Sequence, residues 1–479
     1  MEENTTSGSV TVQLAEWVAN LQWDSVPERV RERVRYLILD GLACALVASH
    51  LPWSEQAVHA VLEMESPGAC PIVGWPGVNI GPLPAALLNS TFIQGFELDD
   101  YHSVAPLHSN SIILPALMSL VEHTKGKRNH NISGKDFMLA TLAGYEIGPR
   151  VGLALHGGEI LSRGWHSGPV FGPAASAGAS SKLLKLNAIQ IEDALGIACT
   201  QACGLMSAQF ESSVKRMQHG FAARNGLFAA LMAESGYKGI RKVFERDYGG
   251  FLKVYTLGAA PPEVQEVVKG LSEVWQTLNI NVKPYACMAG IHATVDCIKE
   301  MQASGSISLD DIQGVKIEMG EAAYKHGGWK AEEPINVIGA QMNASYIAAA
   351  QLIDGDIGMR TFSTEKLNRQ TIWDLVRKIQ VVHQEEFDRL PDPRDRLCTR
   401  VTTDCGNGNA KQSTVVRPTG VKAPLTNEDI VTKFETLTFG LISREQQAAV
   451  INLIAHLEDC EDVSKLFDLL VIPVANPLA

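Results

Sequence analysis

The chain lacks a basic excess. Its 41 Lys and Arg stand against 53 Asp and Glu, for a net charge of −12, and no basic stripe marks any segment. A nucleic-acid partner is therefore not expected. An anionic small molecule could not be drawn in by the overall field and would need a local cluster of cations. The chain also lacks a CxxC pair. Its nine cysteines, Cys44, Cys70, Cys199, Cys203, Cys287, Cys297, Cys398, Cys405 and Cys460, are odd in number and scattered. That argues against a disulfide scaffold or a zinc ribbon and fits a reducing compartment. HExxH, an EF-hand loop, a Walker A sequence and a GxSxG elbow are all missing. His102 and His108 lie six apart across a proline-containing loop, which is not metal-ligand spacing, so no metal is expected. The Gly172 to Gly178 run follows no strand and does not match a dinucleotide fingerprint. Glu2 and Glu3 replace the basic start of a signal or transit peptide. The most apolar early stretch, Tyr36 to Ser49, is interrupted by Asp40 and too short for a membrane span. No membrane association and a cytoplasmic location are expected. Disorder is expected only in the polar start, Met1 to Val10.

What remains is 479 residues of ordinary globular composition, 46% hydrophobic and 20% charged, too many for one compact core. Apolar residues recur at helical spacing in Val30 to Val47, Pro84 to Phe96, Ile113 to His123, Gly134 to Leu155, Val170 to Leu184, Ile191 to Met206 and Ala222 to Ser235. These runs are rich in Ala, Gly and Ser, which let helices approach closely. The texture changes near Asn279. Val315 to Met319 and Ile379 to His383 alternate like half-buried strands. Arg396 to Thr403 and Lys411 to Val416 flank a Gly406-Asn407-Gly408 turn and read as a hairpin. Helical candidates lie between them: Met288 to Ala303, Gln341 to Asp354 and Thr371 to Arg377. After Pro424 the helical pattern returns in Ile430 to Leu437 and Arg444 to Leu457. The fold class is mostly α. We expect a helical domain over 1–280, a smaller α+β domain over 281–421, and C-terminal helices over 422–479 that rejoin the helical domain.

Three polar clusters interrupt the apolar runs. Glu97-Leu98-Asp99-Asp100-Tyr101-His102 and Leu107-His108-Ser109-Asn110 hold carboxylates and histidines between two apolar helices, with Ser109 or Ser111 as a cap and Pro115 in the first turn. They are either a site or a solvated connection. His166 sits in a glycine-rich turn and is either functional or a hydrogen-bonded structural histidine. Lys215-Arg216-Met217-Gln218-His219 is the strongest basic cluster, and a helix would put Lys215 and His219 on one face. Cations in apolar sequence need anionic partners, either a substrate carboxylate or Glu97, Asp99 or Asp100. Lys283, with His292 farther on, lies at the junction where the texture changes.

Longer matches decide between these readings. YLILDGLACA (36–45), ELDDYH (97–102), APLHS (105–109), EDALGIACTQACGLMSAQ (192–209), QHGFAARNG (218–226) and YGGFLK (248–253) together resemble the 2-methylcitrate dehydratase and cis-aconitate decarboxylase family (MmgE/PrpD) along nearly the whole chain. The resemblance implies a large all-helical domain built from both chain ends, a smaller α+β lid, a homodimer, and no metal or organic cofactor. It implies a small tricarboxylate substrate bound between helical domain and lid. The family's catalytic positions fall on His108, His166, Lys215 and Lys283. Glu97, Asp99, Tyr101, His102, Arg216 and His292 are the expected substrate-binding residues around them. A histidine that some relatives carry five positions after the junction lysine is Met288 here, and a tyrosine of the lid has no match beyond the nearby Tyr324 and Trp329. The implied reaction is cofactor-free loss of carbon dioxide from cis-aconitate with an allylic shift and carbon protonation. The alternatives are dehydration of 2-methylcitrate at nearly the same site, and a helical dimer or binding protein without catalysis.

Overall fold

Glycines spaced by four explain how tightly the helices pack. Gly144, Gly148 and Gly152 line one face of the Gly134–Ala154 helix. A methyl group on Gly148 would come within 2.2 Å of the Leu107 side chain and 3.1 Å of Ala175, so only glycine lets the Ser167–Leu183 helix lie this close. The Val214–Glu234 helix packs on the other side of Ser167–Leu183. There Gly226 meets the Pro173 carbonyl and the Ala177 amide, with no room for a Cβ. Pro82–Ile93 and Ser109–Arg128 complete this buried group.

A computed structural model describes residues 8–406 and 408–478. The chain is mostly α among these residues. Three small sheets accompany the helices: a Pro67–Ile72 and Trp75–Ile80 hairpin, a pair of three-residue strands, and a four-stranded sheet. In the last, Gly314–Met319 pairs in parallel with Ile379–His383 and antiparallel with Thr399–Asp404, which in turn pairs with Ala410–Val415. His292–Ala303 packs on this sheet and against Ala344–Asp354. After the sheet the chain returns, and Asn427–Thr438 packs on Glu28–Ala48. Among the described residues no single helix is long and apolar enough to cross a membrane.

Several element boundaries differ from the sequence expectation. Ser9 caps a helix that begins at Val10, so the end of the stretch expected to be disordered is ordered; residues 1–7 of it lie outside the described residues. Asn407 of the expected turn lies outside them too. The Ile191 to Met206 helix stops at Cys199. The Ala222 to Ser235 helix starts earlier, at Val214, and so includes the whole basic cluster. Pro115 is the seventh residue of its helix, not in its first turn. Neither serine caps that helix: the Asp100 carboxylate accepts the Ser109 and Asn110 amides at 3.0 and 2.9 Å.

Candidate active site

A short strand pair builds the first half of the site. Asp100–His102 runs antiparallel to Ile280–Val282, with Asp100 opposite Val282. One step beyond this register Asp99 meets Lys283, and the Lys283 Nζ lies 3.3 Å from Asp99 Oδ1. Glu97, two residues earlier, sits at φ 56°, a left-handed conformation uncommon for residues other than glycine. This turn sends its side chain toward Lys283, whose Nζ is 2.8 Å from Glu97 Oε2. The Val214–Glu234 helix supplies two more cations. Lys215 donates to Glu97 Oε1, and Arg216 Nη1 donates to the same oxygen at 2.7 Å. Arg216 also donates to the Gln341 side chain, which in turn donates to the Phe96 and Ala286 carbonyls at 2.9 and 3.0 Å.

Three cations thus converge on one buried carboxylate, with Asp99 beside it. Burial alone would push Glu97 up, but Lys215, Lys283 and Arg216 reverse this and hold it well below the usual carboxylate range. Asp99 is raised by burial and lowered by His108 and Lys283, with a net shift downward. Lys283 is opposed by burial, yet Glu97 and Asp99 push it above the ordinary lysine value. Lys215 is the weak member: burial, against the pull of Glu97 and with Arg216 and Lys283 repelling it, brings it down to about 8. Counting His as neutral, the cluster carries one surplus positive charge, a local exception to the acidic chain and a place for an anion.

Three imidazoles form a row beside the cations. His219 lies between His108 and His166, with ring centroids 4.9 and 4.8 Å away. His108 Nδ1 donates to Asp99 Oδ2 at 2.9 Å, and His166 Nδ1 donates to Gln218 Oε1 at 2.9 Å. Gln218 is itself pinned to the Leu205 amide and carbonyl. Ser111 gives its hydroxyl proton to the His108 carbonyl and accepts from His219 Nδ1 at 2.9 Å. All three rings are thereby fixed as Nδ1–H tautomers. The His219 Nε2 is buried and unpartnered. Burial, then Lys215, pushes His166 down to about 3, so its Nε2 carries no proton at neutral pH.

Gly168 leaves room for this row. A methyl group there would lie 2.2 Å from His219 Nε2, and the ring cannot swing aside while Ser111 holds it. Gly168→Ala is expected to destabilise the fold by about 1–3 kcal/mol, as overpacking does, and to lower turnover at least about 10-fold by displacing the row. Thermal melting beside turnover tests this; unchanged turnover would remove His219 from the site.

The structure brings together Glu97, Asp99, His108, His166, Lys215, Arg216 and Lys283. It does not bring Tyr101, His102 or His292 into hydrogen-bond contact with them. His102 donates from Nε2 to Gln276 at 3.2 Å and accepts the Ala105 amide on Nδ1, so both ring nitrogens are spent on the strand and turn. His292 bonds the Cys287 carbonyl at 3.1 Å and packs edge-on to Tyr101. Tyr101 is buried with an unpartnered hydroxyl. These three lie behind the cluster and support its strands. The sequence names His219 and Gln218 only as part of the basic cluster and Ser111 only as a cap, not as site residues, and it does not mark Gln341 as one at all. The spacing of Lys215 and His219 was the available signal for His219; nothing local marks Gln341. Among the described residues no group of three or more His, Cys, Asp or Glu side chains is arranged to hold a metal ion.

Comparison with known proteins bears on what this cluster belongs to. Residues 12–263 match the MmgE/PrpD N-terminal domain, and residues 285–459 match the MmgE/PrpD C-terminal domain. The chain belongs to the MmgE/PrpD family. It is 44% identical to the cis-aconitate decarboxylase of Aspergillus terreus, with 100% of this chain and 99% of the relative covered. It is also 44% identical to the cis-aconitate decarboxylase-like protein oryM of Aspergillus oryzae, covering 98% of each. The human cis-aconitate decarboxylase is 26% identical over 97% of this chain and 95% of that protein.

Proposed function

We propose that the protein is a carboxy-lyase that converts cis-aconitate to itaconate and carbon dioxide. The convergence of Lys215, Arg216 and Lys283 on Glu97 carries the reading. Two resident carboxylates hold these cations in the free protein, and substrate carboxylates compete for the same groups. The full-length similarity to decarboxylases of that name supplies the substrate.

The carboxylate on the methylene arm of cis-aconitate leaves as carbon dioxide. Its bonding pair forms a new terminal double bond, and the old double-bond pair moves to the carbon next to a remaining carboxylate. That carbon takes up one proton, and itaconate results. Lysine and arginine stabilise the negative charge as it passes through an enediolate-like carboxylate. His108 is the proposed proton donor to that carbon: Asp99 holds its Nδ1 and so leaves Nε2 to face the substrate. His166 stays neutral and, held by Gln218, keeps the His219 ring in place beside the cations.

The α+β segment over 281–421 acts as a lid on the helical domain built from 1–280 and 422–479, with Gln341 as the tie between them. The working form is a homodimer without metal or organic cofactor. Nine free cysteines suit a reducing, cytoplasmic setting.

Proton NMR of chelator-treated protein with cis-aconitate is expected to show the two vinylidene signals of itaconate. Conversion of 2-methylcitrate alone would replace this reading with a dehydratase, and silence with both substrates would remove the catalytic reading.

A further inference from the structure

The turn that carries Glu97 and Asp99 is held from behind by a residue far away in sequence. Lys433, on the Asn427–Thr438 helix, donates to the Leu98 carbonyl at 2.5 Å and to Asp40 Oδ1 at 2.6 Å. Leu98 is the residue between the two carboxylates. No other donor reaches its carbonyl among the described residues. Asp40 belongs to the Glu28–Ala48 helix; its side chain is fully buried, and its second oxygen has no partner. Seven residues earlier, on the same face of that helix, Arg33 donates to the Ile280 carbonyl at 2.7 Å and to the Leu425 carbonyl at 3.1 Å. Ile280 opens the strand that ends beside Lys283. One helix therefore holds the start of one strand of the site directly and, through Lys433, the turn that leads into the other.

We propose that Lys433 is a positioning residue for the reaction, fixing the Leu98 peptide so that Glu97 and Asp99 face their cations. The C-terminal helices then complete the site instead of only covering it. The physical reason is the Glu97 backbone. A left-handed glutamate persists only where its surroundings over-determine it. Its side chain is fixed by three cations, and the following carbonyl by Lys433. Without that donor the buried Leu98 carbonyl has no partner, and rotation of the peptide toward another donor relaxes Glu97 and withdraws both carboxylates. A displacement of about 1 Å in such a site costs roughly 100-fold in rate.

A simple buried ion pair between Lys433 and Asp40 makes a different prediction. Removing both charges together repairs such a pair, because no buried charge is left alone. The test compares wild type, Lys433→Met and Asp40→Asn/Lys433→Met for melting temperature, itaconate formation and the His108 ring resonances, assigned with His108→Gln. Lys433→Met is expected to lower kcat about 100-fold and to shift the His108 signals, since Asp99 carries that ring. The double variant is expected to regain the wild-type melting temperature while kcat and the His108 signals stay displaced. Recovery of all three in the double variant would overturn the proposal, as would unmoved His108 signals with kcat within about threefold of wild type. Should Lys433→Met not fold, the double variant decides alone, and Lys433→Arg, which keeps a donor for Leu98, is expected to retain its signals and most of its kcat. The activity readout rests on the decarboxylase reading. A wild type silent on cis-aconitate would end that reading, while the His108 signals would still decide the role of Lys433.

Discussion

Lys283→Met is expected to lose activity about 1,000-fold or more while still folding. Removing a single preorganised charge donor from a site costs about 100- to 1,000-fold in kcat, and Lys283 contributes more than one contact. Its side chain is fully buried, and it bonds Glu97 and Asp99 at once. Methionine keeps the length and removes the charge. Glu97 would then rest on Lys215 and Arg216, and Asp99 on His108 alone. Breaking a buried pair on one side usually costs about 3–5 kcal/mol; here the surviving cations keep Glu97 paired, so a loss toward the lower end is expected. Lys283→Arg is expected to fare no better, because a fully enclosed position has no room for a planar guanidinium. Itaconate formation beside thermal melting checks both variants. Lys215→Met offers the contrast: Lys215 is the cation whose charge is least secure, with its pKa brought down to about 8. The wild-type kcat/KM should therefore fall as pH rises through about 8, where free-enzyme groups are read. A flat profile to pH 9, or a Lys283→Met variant with wild-type turnover, would remove the cation cluster from the mechanism.

The helical half of the chain was legible because its signal is local. Runs such as Gly134–Ala154 and Ser167–Leu183 repeat at helical spacing and carry the small residues that close packing needs. Their ends were less legible, since a helix end depends on partners outside the helix. Asp100, on a strand, caps the Ser109–Arg128 helix that two nearby serines were expected to cap. The site residues were visible as polar interruptions of apolar sequence, but their grouping was not. Three-residue strands separated by about 180 positions leave no periodic trace, and it is this pairing that sets Lys283 beside Asp99. For the same reason His102 and His292 read in the sequence as substrate-binding residues around His108 and His166. Only the fold shows that their ring nitrogens serve Gln276, Ala105 and Cys287. Lys433 is the extreme case, a single lysine on an amphipathic helix whose partners lie more than 300 residues back.

Acid should unfold this protein from an unusually high pH, and the buried histidines are the cause. Burial pushes His102 and His326 down to about 4 and His166 and His292 down to about 3. His219 is driven well below the ordinary value by burial and by its histidine neighbours. In the unfolded chain all five titrate near about 6.5. Below that pH the unfolded state binds more protons than the folded one, so stability falls as pH falls; it is fully present above about 6.5 and is lost progressively toward the folded values. Three carboxyls work in the opposite direction. Burial raises Asp40 and Asp100, and it raises Glu122 to about 7, so these groups favour the folded state as pH drops. Five imidazoles outnumber three carboxyls, so unfolding takes up protons on balance below about pH 6.5, and each proton contributes a slope of about 1.4 kcal/mol per pH unit. A domain with about 5–15 kcal/mol of stability does not survive that slope for long. Below about pH 4 the depressed Glu97 and Asp99 add to the loss, since protonating either strips the cluster of its anions. Denaturant melts at half-unit steps from pH 7.5 to 5 give the slope directly. His326, outside the cation cluster and with its Nε2 buried and unpartnered, provides the control: His326→Asn should lower the slope by about one proton, or about 1.4 kcal/mol per unit. Stability that stays level from pH 7 to 5 would mean that these imidazoles are hydrated in solution and that the site is open to water.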